Sequence, residues 1–337
     1  MSKGVKSIKP LGFPWETQDP FIFCAYHRDI YPEGNEQLGP KASLAGRNIG
    51  QDFDPGQDWR MYHGSTVPGF PAHPHAGFET VTIVTEGLVD HSDSLGSAGR
   101  FGDGDVQWMT AGKGVQHAEM FPLLNQDEKN PFELFQIWLN LPKRSKKVPP
   151  HYKMLWAEDI PVIHQTDAEG KKTTVTVYAG TYEGNPAPTP NPDSWAADPA
   201  NQVALWRFQL EPGATATIPA LDESVPRKLF YYQGNSVVAD GQTVQQQSII
   251  TVDSTRDVEI QNGAETSFLL LMQGKPINEP VATYGPFVAN DGSELQALFQ
   301  EYQRTQFGGW PWDNHDVVHG NEHKRFALHA DGSREDR

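Results

Sequence analysis

Apolar and polar residues alternate along most of this chain in short runs, each closed by glycine, proline or aspartate. Residues 78–84 read Phe-Glu-Thr-Val-Thr-Ile-Val, β-branched and aromatic side chains that suit a pleated strand. Phe21 to Tyr26, Arg60 to His63, Leu88 to His91, Val106 to Thr110 and Phe132 to Leu139 repeat the habit, and Phe135, Ile137 and Leu139 fall on one face. Thr85-Glu86-Gly87, Ser94 to Ser97 and Gly102 to Asp105 supply the turns. The pattern resumes at Thr173 to Ala179, Val203 to Leu210, Ala214 to Ile218, Leu229 to Tyr232, Ser248 to Val252 and Ser267 to Met272. Only residues 293–307 change period. Leu295, Leu298, Phe299 and Tyr302 make one helical stripe there, with Asp291 or Ser293 as cap.

The pattern predicts an all-β chain of two domains with a short C-terminal helix. A length of 337 residues suits two domains of ordinary size. Pro142 to Pro150, charged at its centre by Lys143, Arg144, Lys146 and Lys147, reads as a solvated linker. The expected division is 1–144 and 145–337, the second part including the helix 293–307 and a polar tail. The halves register weakly on each other when Gly87 is laid on Gly234. His73 then meets Ala220 and His75 meets Asp222, and no histidine occurs between His164 and His315. A repeated second domain would lack imidazole ligands.

Charge and cysteine narrow the function. There are 43 acidic against 27 basic residues, a net charge of -16, which disfavours direct nucleic-acid binding. The one cysteine, Cys24, allows no internal disulfide, and no apolar run has the length of a signal peptide or a membrane span. A cytoplasmic protein off the membrane is the expectation.

Chemistry concentrates between His73 and Glu119. His73 and His75 are two apart, as are His117 and Glu119, so on strands each pair faces one way. Two antiparallel strands carrying both pairs inward would gather three imidazoles and a carboxylate, a set suited to a divalent transition metal. Tail residues His315, His319, His323 and His329 are interrupted by Gly320 in a polar segment, and no metal site is expected there. Trp310-Pro311-Trp312 reads as an anchor for the tail.

His73-Pro74-His75-Ala76-Gly77-Phe78-Glu79-Thr80-Val81, and Asp105 to Gly112 followed by His117-Ala118-Glu119-Met120, resemble the two signatures of the pirin family. Tyr284 to Asn290 resembles the segment that closes the second pirin domain. The resemblance implies a bicupin, two cupin-type β-barrels with metal in the N-terminal one only. It implies His73, His75, His117 and Glu119 as ligands. Glu79, the ligand in many single-domain cupins, becomes a neighbour of the ligands, since its count from His75 gives it the same strand parity. The family often has arginine where this chain has Ala76.

Some pirins resemble quercetin 2,3-dioxygenases. The resemblance therefore implies Fe(II) with two open positions, a small aromatic substrate such as a flavonol, and O₂, with Glu119 or Glu79 taking the substrate proton. Mn, Ni, Co, Cu and Zn would accept the same ligands. Phe78, Trp108, Met109 and Met120 are the candidate apolar lining. The alternative implied by other pirins is an iron-dependent redox-sensing regulator that binds a protein partner.

Overall fold

A computed structural model describes residues 4–245 and 247–337. The chain forms two compact units, and they are not successive. One comprises Met1–Cys24 and Glu158–Asn278, the other Ala25–Ala157 and Glu279–Arg337. This replaces the expected division at 144/145. The reason lies in the presumed linker. Lys143–Ser145 is a 3-10 turn, Lys146 is only 6% exposed, and His151–Leu155 pairs antiparallel with Val106–Thr110. The segment is part of the first-half fold, and its lysines are not all solvated.

In the histidine-bearing unit a five-stranded sheet runs His151–Leu155, Val106–Thr110, Phe78–Glu86, Asn130–Asn140, Phe21–Tyr31, the first four antiparallel in turn. A six-stranded sheet runs Arg334–Asp336, Phe326–Leu328, Ala98–Gly102, Leu88–Asp93, Val115–Met120, Gly69–His75. Val84, Val89, Phe101, Phe121 and Leu134 share one core between the sheets.

The helix spans Gly292–Thr305. The Asp291 carboxylate accepts from the amides of Ser293 and Glu294, and the left-handed Gln306 ends it. It belongs to this unit, where Phe299 packs edge-on against Phe287 with ring centroids 5.0 Å apart. Phe287 in turn bridges to Ala76, and Val288 donates to the Ala76 carbonyl. The segment resembling the close of the second pirin domain thus buttresses the turn after His75.

The tail is structured. Its hairpin, Phe326–Leu328 with Arg334–Asp336, extends the sheet at Ala98–Gly102. Trp312 anchors it by donating from Nε1 to the Asp93 carbonyl at 2.8 Å. Underneath, Arg100 grips Asp90 through Nε and Nη2 at 2.7 and 2.6 Å.

In the other unit a seven-stranded sheet runs Val5–Pro10, Ser248–Val252, Arg227–Gln233, Ser267–Gln273, Ala204–Leu210, Lys172–Ala179, Val162–Thr166. A four-stranded sheet, Thr215–Ile218, Val258–Asn262, Val237–Ala239, Gln242–Val244, completes it. Trp206, Leu229, Ile250 and Leu271 pack with Ile218, Val258 and Ile260 in its core. No helix among the described residues is long and apolar enough to cross a membrane.

Candidate metal centre

Strand Gly69–His75 pairs antiparallel with Val115–Met120, and His73 lies directly opposite His117. Register slips between Phe70 and His73, a bulge that aims the following side chains. One ring nitrogen from each of His73, His75 and His117 falls within 4.8 Å of the others. His73 is half-buried and the other two are buried.

The environment keeps these rings unprotonated. Loss of hydration lowers His73 to about 4 and puts His75 and His117 well below the usual imidazole range, helped by mutual repulsion of their charged forms. His73 donates from Nδ1 to the Pro71 carbonyl at 2.9 Å when the ring is neutral, which leaves the Nε2 lone pair free. Neither nitrogen of His117 has a hydrogen-bond partner, and neither nitrogen of His75 has a well-formed one, although the Pro286 carbonyl lies close enough to favour its charged form. Buried imidazoles left bare are costly unless something binds them. A divalent transition metal fits: three neutral imidazoles converge and a carboxylate stands beside them.

That carboxylate, Glu119, borders the cluster of three. Its Oε2 is 3.7 Å from His117 Nε2. Gln136 donates from Nε2 to Oε2 at 2.9 Å, and Thr82 Oγ1 lies 3.0 Å from Oε1. Thr82 has one hydroxyl proton and two acceptors, since Gln136 Oε1 is 2.6 Å away. With Glu119 protonated, every contact in this ring has a donor. With Glu119 ionised, one contact lacks a proton. Burial raises the Glu119 pKa in the same direction.

Glu79 does not join the site. Gly77, at φ 87°, sits 1.9 Å from the Val288 carbonyl oxygen at the place where a Cβ would go, so only glycine makes this turn. The turn breaks the strand and reverses the parity counted from His75. Phe78 therefore meets His75, ring centroids 5.1 Å apart, and the Glu79 carboxylate accepts from Thr110 Oγ1 at 2.7 Å. Thr82 reaches Glu119, so by alternation Thr80 and Thr82 look toward the centre and Glu79 and Val81 look away. Cross-strand pairing of Thr80 with Met109 and of Val81 with Trp108 puts Met109 on the near face and Trp108 on the far one. Met120 packs with Leu38 and Val67 instead. Of the expected lining, Phe78 and Met109 qualify.

Reasoning from sequence missed a polar row. Gln107, Thr82 and Gln136 lie side by side across three strands, and both polar ends of the buried Gln107 side chain lack partners. It missed His91 too. His91 is opposite Glu119 in register, and its ring centroid lies 5.6 Å from that of His117 and 5.0 Å from the stacked Tyr152 ring. Strand parity within Leu88 to His91 could have found it.

Comparison with known proteins agrees across both units. The pirin family profile matches residues 15–139, and that of the pirin C-terminal cupin domain matches 205–308. A pirin-like protein of Solanum lycopersicum is 33% identical over 273 residues, 79% of this chain and 87% of the relative. A pirin-like protein of Caulobacter vibrioides is 35% identical over 240 residues, 71% of this chain and 80% of the relative. The crystal structure of a quercetin 2,3-dioxygenase from Acinetobacter baumannii superimposes with a TM-score of 0.69 at 26% identity, covering 92% of this chain and 99% of that one. Matched in both units, and by relatives at about a third identity over most of their length, the chain belongs to the pirin family.

Proposed function

We propose that this chain is a pirin-type dioxygenase, each unit a cupin-type barrel, with one Fe(II) held by His73, His75, His117 and Glu119 and a flavonol such as quercetin opened by O₂. The observation that carries the reading is the convergence of three imidazoles within 4.8 Å, two of them buried with bare nitrogens and the third half-buried. The likeness to a quercetin 2,3-dioxygenase supports it. Bound there, the metal would supply Lewis acidity and two open positions for substrate and oxygen.

The chain's own residues do the rest. Glu119 Oε1 takes the proton of the substrate hydroxyl, and the ring through Thr82 and Gln136 then has a donor in every contact. Gln136 and Thr82 also hold the carboxylate facing the histidines. Phe78 and Trp138, ring centroids 4.3 Å apart, border His75 and offer aromatic surface to a planar substrate. Phe78 and Met109 exclude water, which strengthens the binding of the substrate as an anion.

The test is metal analysis of anaerobically purified protein, followed by oxygen uptake with quercetin and a panel of catechols. Stoichiometric iron with oxygen uptake supports the reading. Iron-loaded protein that consumes no oxygen across the panel overturns it.

A further inference from the structure

The unit without the histidine cluster buries a cation that has no counter-charge among the described residues. Arg227 is 0% exposed. Its Nε donates to Gln273 Oε1 at 2.7 Å and its Nη1 to the Pro219 carbonyl at 2.8 Å, while Nη2 has no partner. Among the described residues no carboxylate pairs with it, and burial works against its charged form. A guanidinium stays charged at any ordinary pH. Burying one with neutral acceptors alone is unfavourable, so the arrangement calls for an anion.

A cleft of about 330 Å³ lies next to this group, reached through its hydrogen-bond acceptor Gln273. Gln273, the acceptor for Arg227, lines it, as does Leu221, two residues beyond Pro219. Trp206 lines it too, and its buried indole N–H is another donor without a partner. Ala204, Gln273 and Arg227 form one row across the sheet. Their strand parity matches that of the core residues Trp206, Leu271 and Leu229, so the row faces the inside of the unit. The remaining lining is largely apolar, with Pro188, Pro190 and Ala197, while Asp198 is exposed and accepts from the Ala200 amide.

We propose that this cleft binds a small apolar monocarboxylate, its carboxylate turned toward Arg227 and Trp206 and its hydrocarbon body against the prolines and Leu221. One unpaired cation balances one negative charge. The spare donors on Nη2 and the indole suit two carboxylate oxygens better than a phosphate dianion, which would need more donors. Gln273 both accepts from Arg227 Nε and lines the cleft, so a carboxylate beside it meets the spare Nη2 donor without displacing that contact.

The test uses the full chain freed of metal, so that no carboxylate can bind at the histidine centre. Sodium benzoate is the probe and benzamide its neutral control, with binding followed by calorimetry and by thermal shift. Benzoate should bind saturably and raise the melting temperature, and benzamide should do neither. Arg227→Met should weaken benzoate at least tenfold without lowering basal stability, because the buried charge goes with the side chain. Leu221→Trp, which fills the cleft and keeps Arg227, should weaken it as much. Absence of benzoate binding, equal binding of benzamide, or binding unchanged in both variants would overturn the proposal.

Discussion

The two units share a backbone device and differ in what they hang on it. In the histidine unit Val84 faces Leu134, and the register slips before Glu86 faces Glu133. In the other, Tyr231 faces Leu269, and the register slips before Gln233 faces Phe268. The bulges stand at equal distances from Gly87 and Gly234, so the weak repeat read from those glycines has a counterpart in strand pairing. On this registration the row Gln107, Thr82, Gln136 corresponds to Ile250, Leu229, Leu271. Three polar side chains, two of them on the Glu119 carboxylate, become three aliphatic ones in a core. The next row, Thr80 with Trp138, becomes Arg227 with Gln273. A difference of two rows on a common sheet separates a candidate metal centre from an apolar interior with one buried cation.

The sharpest way to break the comparison is to remove an imidazole. His75→Ala should take metal from about one per chain to none and abolish oxygen uptake, because only two of the three converging imidazoles remain and Glu119 stands at the border of the cluster. Elemental analysis decides it. Full occupancy in the variant, or metal bound by an Arg227-containing fold whose histidine cluster has been removed, would mean the units do not divide the labour in this way.

Next in size is Glu119→Gln. The amide keeps the size and can supply the missing donor to Thr82, so the fold should persist. It cannot take a proton from substrate. Turnover should fall about a hundredfold with KM little changed, the loss expected when a proton acceptor is removed. Steady-state kinetics with quercetin, at equal metal content, measures it. A rise in KM at unchanged kcat would instead assign Glu119 to substrate binding.

These side chains were not equally legible in the sequence. Strand periodicity gave the all-β class, and the pairs His73/His75 and His117/Glu119 gave the cluster, because alternation on a strand is strict while it lasts. It ended at Gly77, and the parity assigned to Glu79 failed there. Thr80 and Thr82 passed as ordinary β-formers, since threonine suits strands whether or not its hydroxyl has a task. The basic run at Lys143 to Lys147 looked solvated because sequence does not show that one of its lysines turns inward. The discontinuous division was hidden for a related reason: Phe287 and the helix return to Ala76 from the far end of the chain.

That inward lysine gives each unit a buried cation without a paired carboxylate. Lys146 donates from Nζ to the Gly77 carbonyl at 2.9 Å and to Asn140 Oδ1 at 2.6 Å, and burial lowers its pKa to about 8. Unlike Arg227 it can shed its proton. Between about pH 8 and its unfolded value of about 10.4 the unfolded chain binds more protons at this residue, so its contribution to stability rises with pH. Below about 8 both states are protonated and the burial penalty is constant. Wild type should therefore gain up to about 3 kcal/mol relative to Lys146→Met across this window, as read from urea unfolding at several pH values. Arg227→Met should show no such slope. A flat difference for Lys146→Met would mean that the amine keeps its proton in the fold.

The smallest effect comes from exchanging one side chain between the equivalent rows. Leu271 is fully buried among aliphatic neighbours, and Leu271→Gln would put an amide there with no partner. The cost should be about 2 kcal/mol, a lower melting temperature with metal content untouched. Gln136→Leu reverses the chemistry. Gln136 is half-buried, so an aliphatic side chain there should change stability by less than about 1 kcal/mol. Glu119 Oε2 loses its donor and the ring with Thr82 opens. Metal affinity should drop about tenfold, the usual scale when a group that orients a ligand is removed. Melting curves and metal titrations on both variants separate the outcomes. If both exchanges cost only stability, or both cost metal, the polar row would not be what distinguishes the two units.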